Sequence, residues 1–180
     1  MKRTAVFLAD GFEEIEALTV VDIIRRGNVE CDMVSIKNIE VTGAHGIKVK
    51  SDKILDETIN DYDLIVFPGG MPGATNLKQD KKVIEVVKKF YKEGKLVSAI
   101  CAAPIVLAQA GIIEGKNITS YPGFEEQLKG CNYKEDRVVV DGNIITSRGP
   151  ATAMEFAYKL LEVLGNETYK DLKKGMLYNN

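Results

Sequence analysis

Short apolar runs alternate along this chain with segments whose apolar positions recur at helical spacing. The runs indicate buried strands at residues 4–9, 30–36, 63–67 and 96–100. Helical spacing covers residues 14–26 and ends at Gly27. Strands that alternate with helices predict an α/β fold with a mostly parallel sheet and helices on both faces.

Glycine and aspartate positions predict how the remaining segments connect. Gly43 and Gly46 predict a hairpin over residues 38–50, and Asp141-Gly142-Asn143 predicts a second one between strands 137–140 and 144–147. A glycine-rich loop at 71–75 opens a helical region to about residue 92, and a strand is expected near 117–120, followed by a short helix to residue 129. Further helices are predicted over 102–110, 151–164 and 167–174. With no linker or repeat, we expect one domain spanning residues 1–180.

Composition excludes several classes of function. The net charge of −2 provides no strong field for nucleic acid or anionic lipid. No apolar stretch approaches the ~20 residues of a membrane span. Asp10 interrupts the first apolar run too early for a signal peptide. We therefore expect a cytoplasmic protein that binds neither nucleic acid nor membrane.

The three cysteines and the single histidine narrow the chemistry further. An odd cysteine count without a C-x-x-C pair argues against a disulfide framework and against a zinc ribbon. We interpret Cys31 as a packing residue and Cys131 as a surface residue. Because His45 is the only histidine, a Cys-His dyad or a histidine-bearing metal site would have to use it. We expect His45 to lie in the first hairpin, exposed or at an interface, away from the reactive pocket.

Cys101 is the strongest candidate for a reactive residue. It stands where the strand Leu96–Ile100 meets Ala102-Ala103-Pro104, with small residues two before and two after it. That pattern satisfies the steric demand of a nucleophile elbow, in which a tight strand-to-helix turn exposes one side chain. A helix N-terminus would also favour the thiolate. The alternative is a buried cysteine that acts as a small apolar residue.

Three loops at strand ends are expected to form one pocket with this cysteine, at residues 9–16, 68–74 and 100–104. The first loop offers two candidate carboxyl groups, Glu13 and Glu16. The spacing of Glu16 from Val20 and Ile23 predicts that it is partly buried, so it needs a partner or a proton. A protonated Glu16 could donate a hydrogen bond to a thiolate, and we favour it over Glu13 without excluding the latter.

The second loop, Pro68-Gly69-Gly70-Met71-Pro72-Gly73, exposes backbone N–H groups. It could form an oxyanion hole, a phosphate cradle or a plain strand-to-helix turn. Arg148, at a strand end, could clamp a carboxylate or phosphate, or form a structural ion pair.

Four motifs together resemble the DJ-one branch of the ThiJ/PfpI superfamily. They are Ala9-x-Gly11-x-Glu13-Glu14-x-Glu16, Pro68-Gly69-Gly70, Ala99-Ile100-Cys101-Ala102 and Thr146-Ser147-Arg148-Gly149-Pro150. The resemblance implies a flavodoxin-like three-layer sandwich and a homodimer. It assigns the oxidation-sensitive nucleophile to Cys101, its hydrogen-bonded carboxyl group to Glu16, and backbone donors to Gly70 and Ala102. Glu13, Gly69, Tyr121 and Arg148 are further pocket candidates.

The chain departs from that pattern at two positions. Tyr121 stands where several members carry a histidine near the thiol, and a phenol with a pKa of ~10 is a poor base near neutrality. The protease branch places histidine directly after its cysteine, where this chain has Ala102. Proteolysis by a Cys-His dyad is therefore disfavoured.

The resemblance implies a glyoxalase or protein deglycase that acts on small reactive aldehydes or glycated groups and needs no metal or organic cofactor. A second hypothesis is a redox sensor or stress-response holdase that works through oxidation of Cys101 without turnover. A third is a binding module that holds a phosphorylated metabolite in loop 69–73.

Overall fold

A seven-stranded sheet organises the chain. The computed structural model describes residues 2–178. The strands are β1 (Arg3–Leu8), β2 (Glu30–Ser35), β3 (Glu40–Thr42), β4 (Lys48–Lys50), β5 (Lys53–Ile54), β6 (Leu64–Phe67), β7 (Leu96–Ile100), β8 (Asn117–Ile118), β9 (Asn132–Tyr133), β10 (Val138–Asp141) and β11 (Ile144–Ser147). The large sheet has the order β10-β11-β7-β6-β1-β2-β5, whereas β3 pairs with β4 and β8 pairs with β9 in two small sheets.

Helices cover both faces of the large sheet. They are α1 (Glu14–Arg26), α2 (Gly73–Gln79), α3 (Lys81–Lys92), α4 (Pro104–Gln109), α5 (Ala153–Val163) and α6 (Tyr169–Gly175), with 3₁₀ turns at Glu57–Asp61, Glu125–Gln127 and Pro150–Thr152. Along β1, Val6 and Leu8 pack with α1 and α5, whereas Ala5 and Phe7 pack with α2, α3 and α4. This alternation of side chains across a strand produces the predicted three layers.

The strand order brings the expected loops together. Strand β10 pairs antiparallel with β11, and the other pairings within this sheet are parallel. From β1 the chain proceeds to β2 on one side and later to β6 and β7 on the other, so the order reverses beside β1. Ligand sites of open α/β sheets lie at such reversals, at the carboxyl ends of the strands. The loops that follow β1, β6 and β7 all begin at this edge of the sheet.

The hairpins and most elements are confirmed, but three helix predictions needed correction. The short helix expected up to residue 129 is only a 3₁₀ turn at Glu125–Gln127. The helical region after Gly73 is two helices, because the Asp80 side chain accepts the N–H groups of Lys82 and Val83 and so caps a new helix. Helix α4 begins at Pro104 rather than at Ala102. The short edge strand β5 carried no recognisable pattern in the sequence.

The cysteines outside the elbow differ in burial. Cys31 is 4% exposed and packs in the core, as predicted, and burial raises the pKa of its thiol to about 12. Cys131 is half-buried against the core rather than a surface residue. Among the described residues, no helix is both long and apolar enough to span a membrane.

Candidate functional site

The turn after β7 holds Cys101 in a strained backbone conformation. Its φ is +65°, a region that non-glycine residues rarely adopt, and its side chain is half-buried. A Cβ on Gly69 would lie 2.7 Å from the Cys101 Cβ, so the neighbouring loop can approach the turn only because it carries glycine. Ala99 and Ala103, which flank the cysteine, are fully buried. The turn thus has the form expected of a nucleophile elbow.

Glu16 lies beside this cysteine, in the first turn of α1. It has no solvent-exposed surface, and its Oε2 accepts the Gly69 N–H at 2.7 Å. Its carboxyl group also interacts with the Cys101 side chain. The structure therefore brings Glu16, rather than Glu13, to the sulfur.

Two backbone donors face the sulfur as well. The N–H groups of Ala102 and Gly70 form hydrogen bonds to Cys101 that favour its ionised form. Gly70 has a φ of +85°, and a Cβ there would lie 2.3 Å from the Glu13 nitrogen. Glycine is therefore required at this donor position, both for conformation and for space.

Burial and charge shift the pKa values of both acids at the site. Burial raises the pKa of Glu16 to about 7; hydrogen bonds to Cys101 and Gly69 oppose that shift, and the negative charge of Glu13 adds to it. Burial also raises the pKa of the Cys101 thiol, and an ionised Glu16 raises it further. This direction is opposite to the lowered pKa expected of a thiol at a helix N-terminus, because burial and the Glu16 charge outweigh the backbone N–H groups. Both groups therefore lose their protons less readily than they would in water, and their titrations are coupled.

A second polar cluster, formed by Glu13, Glu14 and His45, adjoins this pair. The His45 Nδ1 lies 3.0 Å from Glu14 Oε2 and 3.6 Å from Glu13 Oε2. Although burial opposes it, hydrogen bonds from His45 and Ile47 lower the pKa of Glu14, and the Glu14 carboxylate in turn raises the pKa of His45. His45 is exposed as predicted, but its expected distance from the pocket is wrong, because Glu13 links the two.

Sequence reasoning missed the structural role of Glu14. Its Oε1 accepts the backbone N–H groups of His45 at 2.8 Å and Ile47 at 3.4 Å, which fixes the β3–β4 hairpin to α1. A Cβ on Gly43 would lie 2.2 Å from this Oε1. The glycine in the hairpin was visible in the sequence, but nothing there indicated which carboxylate it accommodates.

The remaining candidates lie at the edge of the site. The Tyr121 backbone N–H donates to the Cys101 carbonyl at 2.9 Å, and its half-exposed ring lies against Gly149. Arg148 directs its Nη1 to the Glu135 carbonyl at 3.0 Å, so its hydrogen bond is neither of the two predicted contacts.

The loop after β6 has few donors available for a phosphate. The Gly69 N–H is used by Glu16, the Gly73 N–H by the Gly11 carbonyl at 3.2 Å, and the Ala74 N–H by the Gly70 carbonyl at 2.9 Å. A phosphate cradle needs several convergent N–H groups that are not already bonded. This arrangement argues against the phosphate interpretation.

The turn at Cys101 places the chain among flavodoxin-like α/β proteins that carry a cysteine at a nucleophile elbow. Within that class, the profile of the DJ-1/PfpI family matches residues 2–163. The chain belongs to the DJ-1/PfpI family, and this membership supports a role in the response to stress.

Individual relatives agree with this assignment. The chain is 40% identical to Protein DJ-1alpha of Drosophila melanogaster over 98% of this chain and 84% of that one. It is 43% identical to Protein DJ-1 homolog B of Arabidopsis thaliana over 92% of this chain, but spans only 39% of that longer protein. Its fold is similar to that of oxidized Toxoplasma gondii DJ-1, with a TM-score of 0.95 and 38% identity over the whole of both chains.

The burial of two neighbouring glutamates predicts stability effects of opposite sign. Because the folded state holds the Glu16 proton more tightly than the unfolded state, the contribution of Glu16 to stability is lost as pH rises from 4.5 to about 7. Glu16→Gln should therefore exceed wild type at pH 8 by up to about 3 kcal/mol in free energy of unfolding, with the advantage vanishing by pH 4. Urea unfolding at both pH values measures this.

The matched control is Glu14→Gln, because the pKa of Glu14 is lowered and its charge stabilises the fold above its unfolded pKa. This variant should be less stable than wild type at pH 8. A Glu16→Gln protein that is also less stable at pH 8 would contradict the assigned burial of a protonated carboxyl group.

Proposed function

We propose that this protein is a cofactor-free enzyme that converts small reactive carbonyl compounds, of the glyoxalase or protein deglycase type. The observation that carries the proposal is the fully buried Glu16 carboxyl group beside the half-buried Cys101, with burial raising the pKa of Glu16 to about 7. A carboxyl group with a pKa of about 7 can both give and take a proton near neutrality, which is what acid–base catalysis requires.

The first step with methylglyoxal forms a hemithioacetal. The Cys101 sulfur bonds to the aldehyde carbon while its S–H proton passes through the Glu16 carboxylate to the aldehyde oxygen, which leaves Glu16 ionised. As the C=O bond opens, the N–H groups of Gly70 and Ala102 stabilise the negative charge that develops on oxygen. The proton lost by Cys101 is the one gained by the aldehyde oxygen, so this step needs no metal or organic cofactor.

The later steps move one proton and add water. Glu16 removes the proton from the carbon now bonded to sulfur, giving an enediolate, and returns this proton to the adjacent carbon. The hydroxyl proton of the first carbon passes to the oxygen of the second, which leaves a lactoyl thioester on Cys101. Water hydrolyses this thioester and restores the thiol. The sum is methylglyoxal plus water giving lactate, with no net oxidation.

A redox sensor or stress-response holdase is the second candidate function. The same half-buried sulfur could be oxidised, and the Gly70 and Ala102 donors would suit the oxygens of a sulfinic acid. The similar Toxoplasma gondii protein is described as oxidized. Turnover of an aldehyde and stable oxidation of Cys101 are separable by experiment.

The proposal includes reactive aldehydes or glycated groups as partners, a cytoplasmic location and a homodimer. The dimer is expected to have twice the chain mass of 19.8 kDa in solution. Light scattering behind size exclusion measures this mass, and a protein of single-chain mass at micromolar concentration would remove the dimer from the proposal.

Substitution of either Cys101 or Glu16 should strongly reduce lactate formation from methylglyoxal. Cys101→Ser removes the nucleophile, and we expect a loss of at least about 100-fold. Glu16→Gln keeps an acceptor for the Gly69 N–H but cannot carry a proton, so kcat should fall about 10²–10⁴-fold. Cys131→Ser is the control and should keep wild-type activity. Full activity of Cys101→Ser would exclude this mechanism.

Mild peroxide treatment should separate the enzyme from the sensor. Two equivalents of hydrogen peroxide convert a thiolate to a sulfinic acid, with two oxygens added. If Cys101 is a sensor, the intact mass of the chain should rise by two oxygens, and the oligomeric mass in solution or the bound partner should change. If the protein is an enzyme, the treatment should only reduce its turnover of methylglyoxal. Cys31 is the internal control, since it is only 4% exposed, whereas Cys101 is half-buried, and its burial should keep peroxide away from the sulfur.

A further inference from the structure

The Glu13–Glu14–His45 cluster contains the only histidine of the chain, at the point where the β3–β4 hairpin meets the start of α1. One ligand atom of each residue lies within 4.8 Å of the others. An imidazole nitrogen and two carboxylate oxygens are ligands that zinc and similar divalent metals accept together.

The distances fit a shared cation. With metal–ligand bonds of about 2.0–2.1 Å, neighbouring ligand atoms of a tetrahedral zinc site are about 3.3 Å apart. The two measured separations from His45 Nδ1, 3.0 Å to Glu14 Oε2 and 3.6 Å to Glu13 Oε2, lie on either side of this value. The His45 side chain is 68% exposed, which leaves an entry path and room for water as a further ligand.

Glu14 is oriented in advance for such a site. Its Oε1 is occupied by the backbone N–H groups of His45 and Ile47, so Oε2 is the oxygen presented to the imidazole. Hydrogen bonds that fix a ligand in this way are typical of the outer shell of protein metal sites. The same backbone bonds hold His45 opposite the carboxylates.

Glu13 offers a third ligand atom. Its side chain is 11% exposed, and its Oε2 lies 3.6 Å from the His45 Nδ1, within ion-pair distance. A divalent cation between Glu13, Glu14 and His45 would bind this carboxylate oxygen together with the imidazole nitrogen and Glu14 Oε2.

We propose that Glu13, Glu14 and His45 bind a divalent transition-metal ion of the zinc type. The metal takes the place of the proton between His45 Nδ1 and Glu14 Oε2, and this proton leaves to solvent. Imidazole ligation favours zinc, cobalt or nickel over magnesium and calcium. The site does not depend on the carbonyl chemistry of Cys101.

The single histidine makes the test direct. The full-length Cys101→Ser protein, which cannot ligate zinc through the elbow sulfur, is titrated with zinc chloride at pH 8 while the imidazole signals are followed by NMR. The His45 resonances should shift and saturate at one equivalent. Glu13→Gln in the same background should weaken the dissociation constant at least about tenfold, because even outer-shell changes cost that much.

Glu85→Gln, which removes an exposed carboxylate elsewhere, is the control for net charge and should bind as the parent does. His45→Gln is the second variant; since its ring is exposed, it should fold and lose zinc binding in competition with a coloured chelator. The proposal is overturned if zinc leaves the His45 signals unmoved at millimolar concentration. It is also overturned if Glu13→Gln or His45→Gln binds zinc as tightly as the parent.

Discussion

The hydrogen bond from the Gly69 N–H to the Glu16 carboxyl group is the interaction on which the site depends. It joins the loop after β6 to the first turn of α1, inside the protein and next to Cys101. In water this carboxyl group would be ionised at neutral pH, whereas burial raises its pKa to about 7. The position of Glu16 therefore decides both the geometry and the protonation of the pair.

Close approach of the three loops requires the absence of side chains at their contact points. A Cβ on Gly69 would meet Cys101, and one on Gly70 would meet the Glu13 backbone. A Cβ on Gly11 would lie 2.4 Å from Pro72 Cδ. These glycines therefore allow two loops to contact the nucleophile elbow. The N–H groups of Gly11 and Gly69 form hydrogen bonds within the chain, to the Thr42 carbonyl and to Glu16.

Hydrophobic spacing and glycine positions within single segments predicted most of the fold. They failed where contacts between distant segments determine the structure. The bounds of α1 and β7 follow from spacing and from Gly27, and the burial of Glu16 follows from its position on the α1 face. The break at Asp80 was missed because a capping residue within a continuous helical pattern resembles a surface residue. The position of His45 near the site depends on the carboxylate of Glu14, which lies 31 residues away. Local spacing cannot encode such a contact.

Tyr121 and His45 both lie near the pair without serving its sulfur directly. The backbone N–H of Tyr121 donates to the Cys101 carbonyl, and its ring lies against Gly149. His45 contacts the outer carboxylates Glu13 and Glu14, whereas the group that contacts the sulfur is Glu16. Among the described residues, Glu16 is therefore the ionisable side chain placed to exchange a proton with the sulfur. Because burial raises its pKa to about 7, this one carboxyl group suits both proton transfers of the proposed reaction.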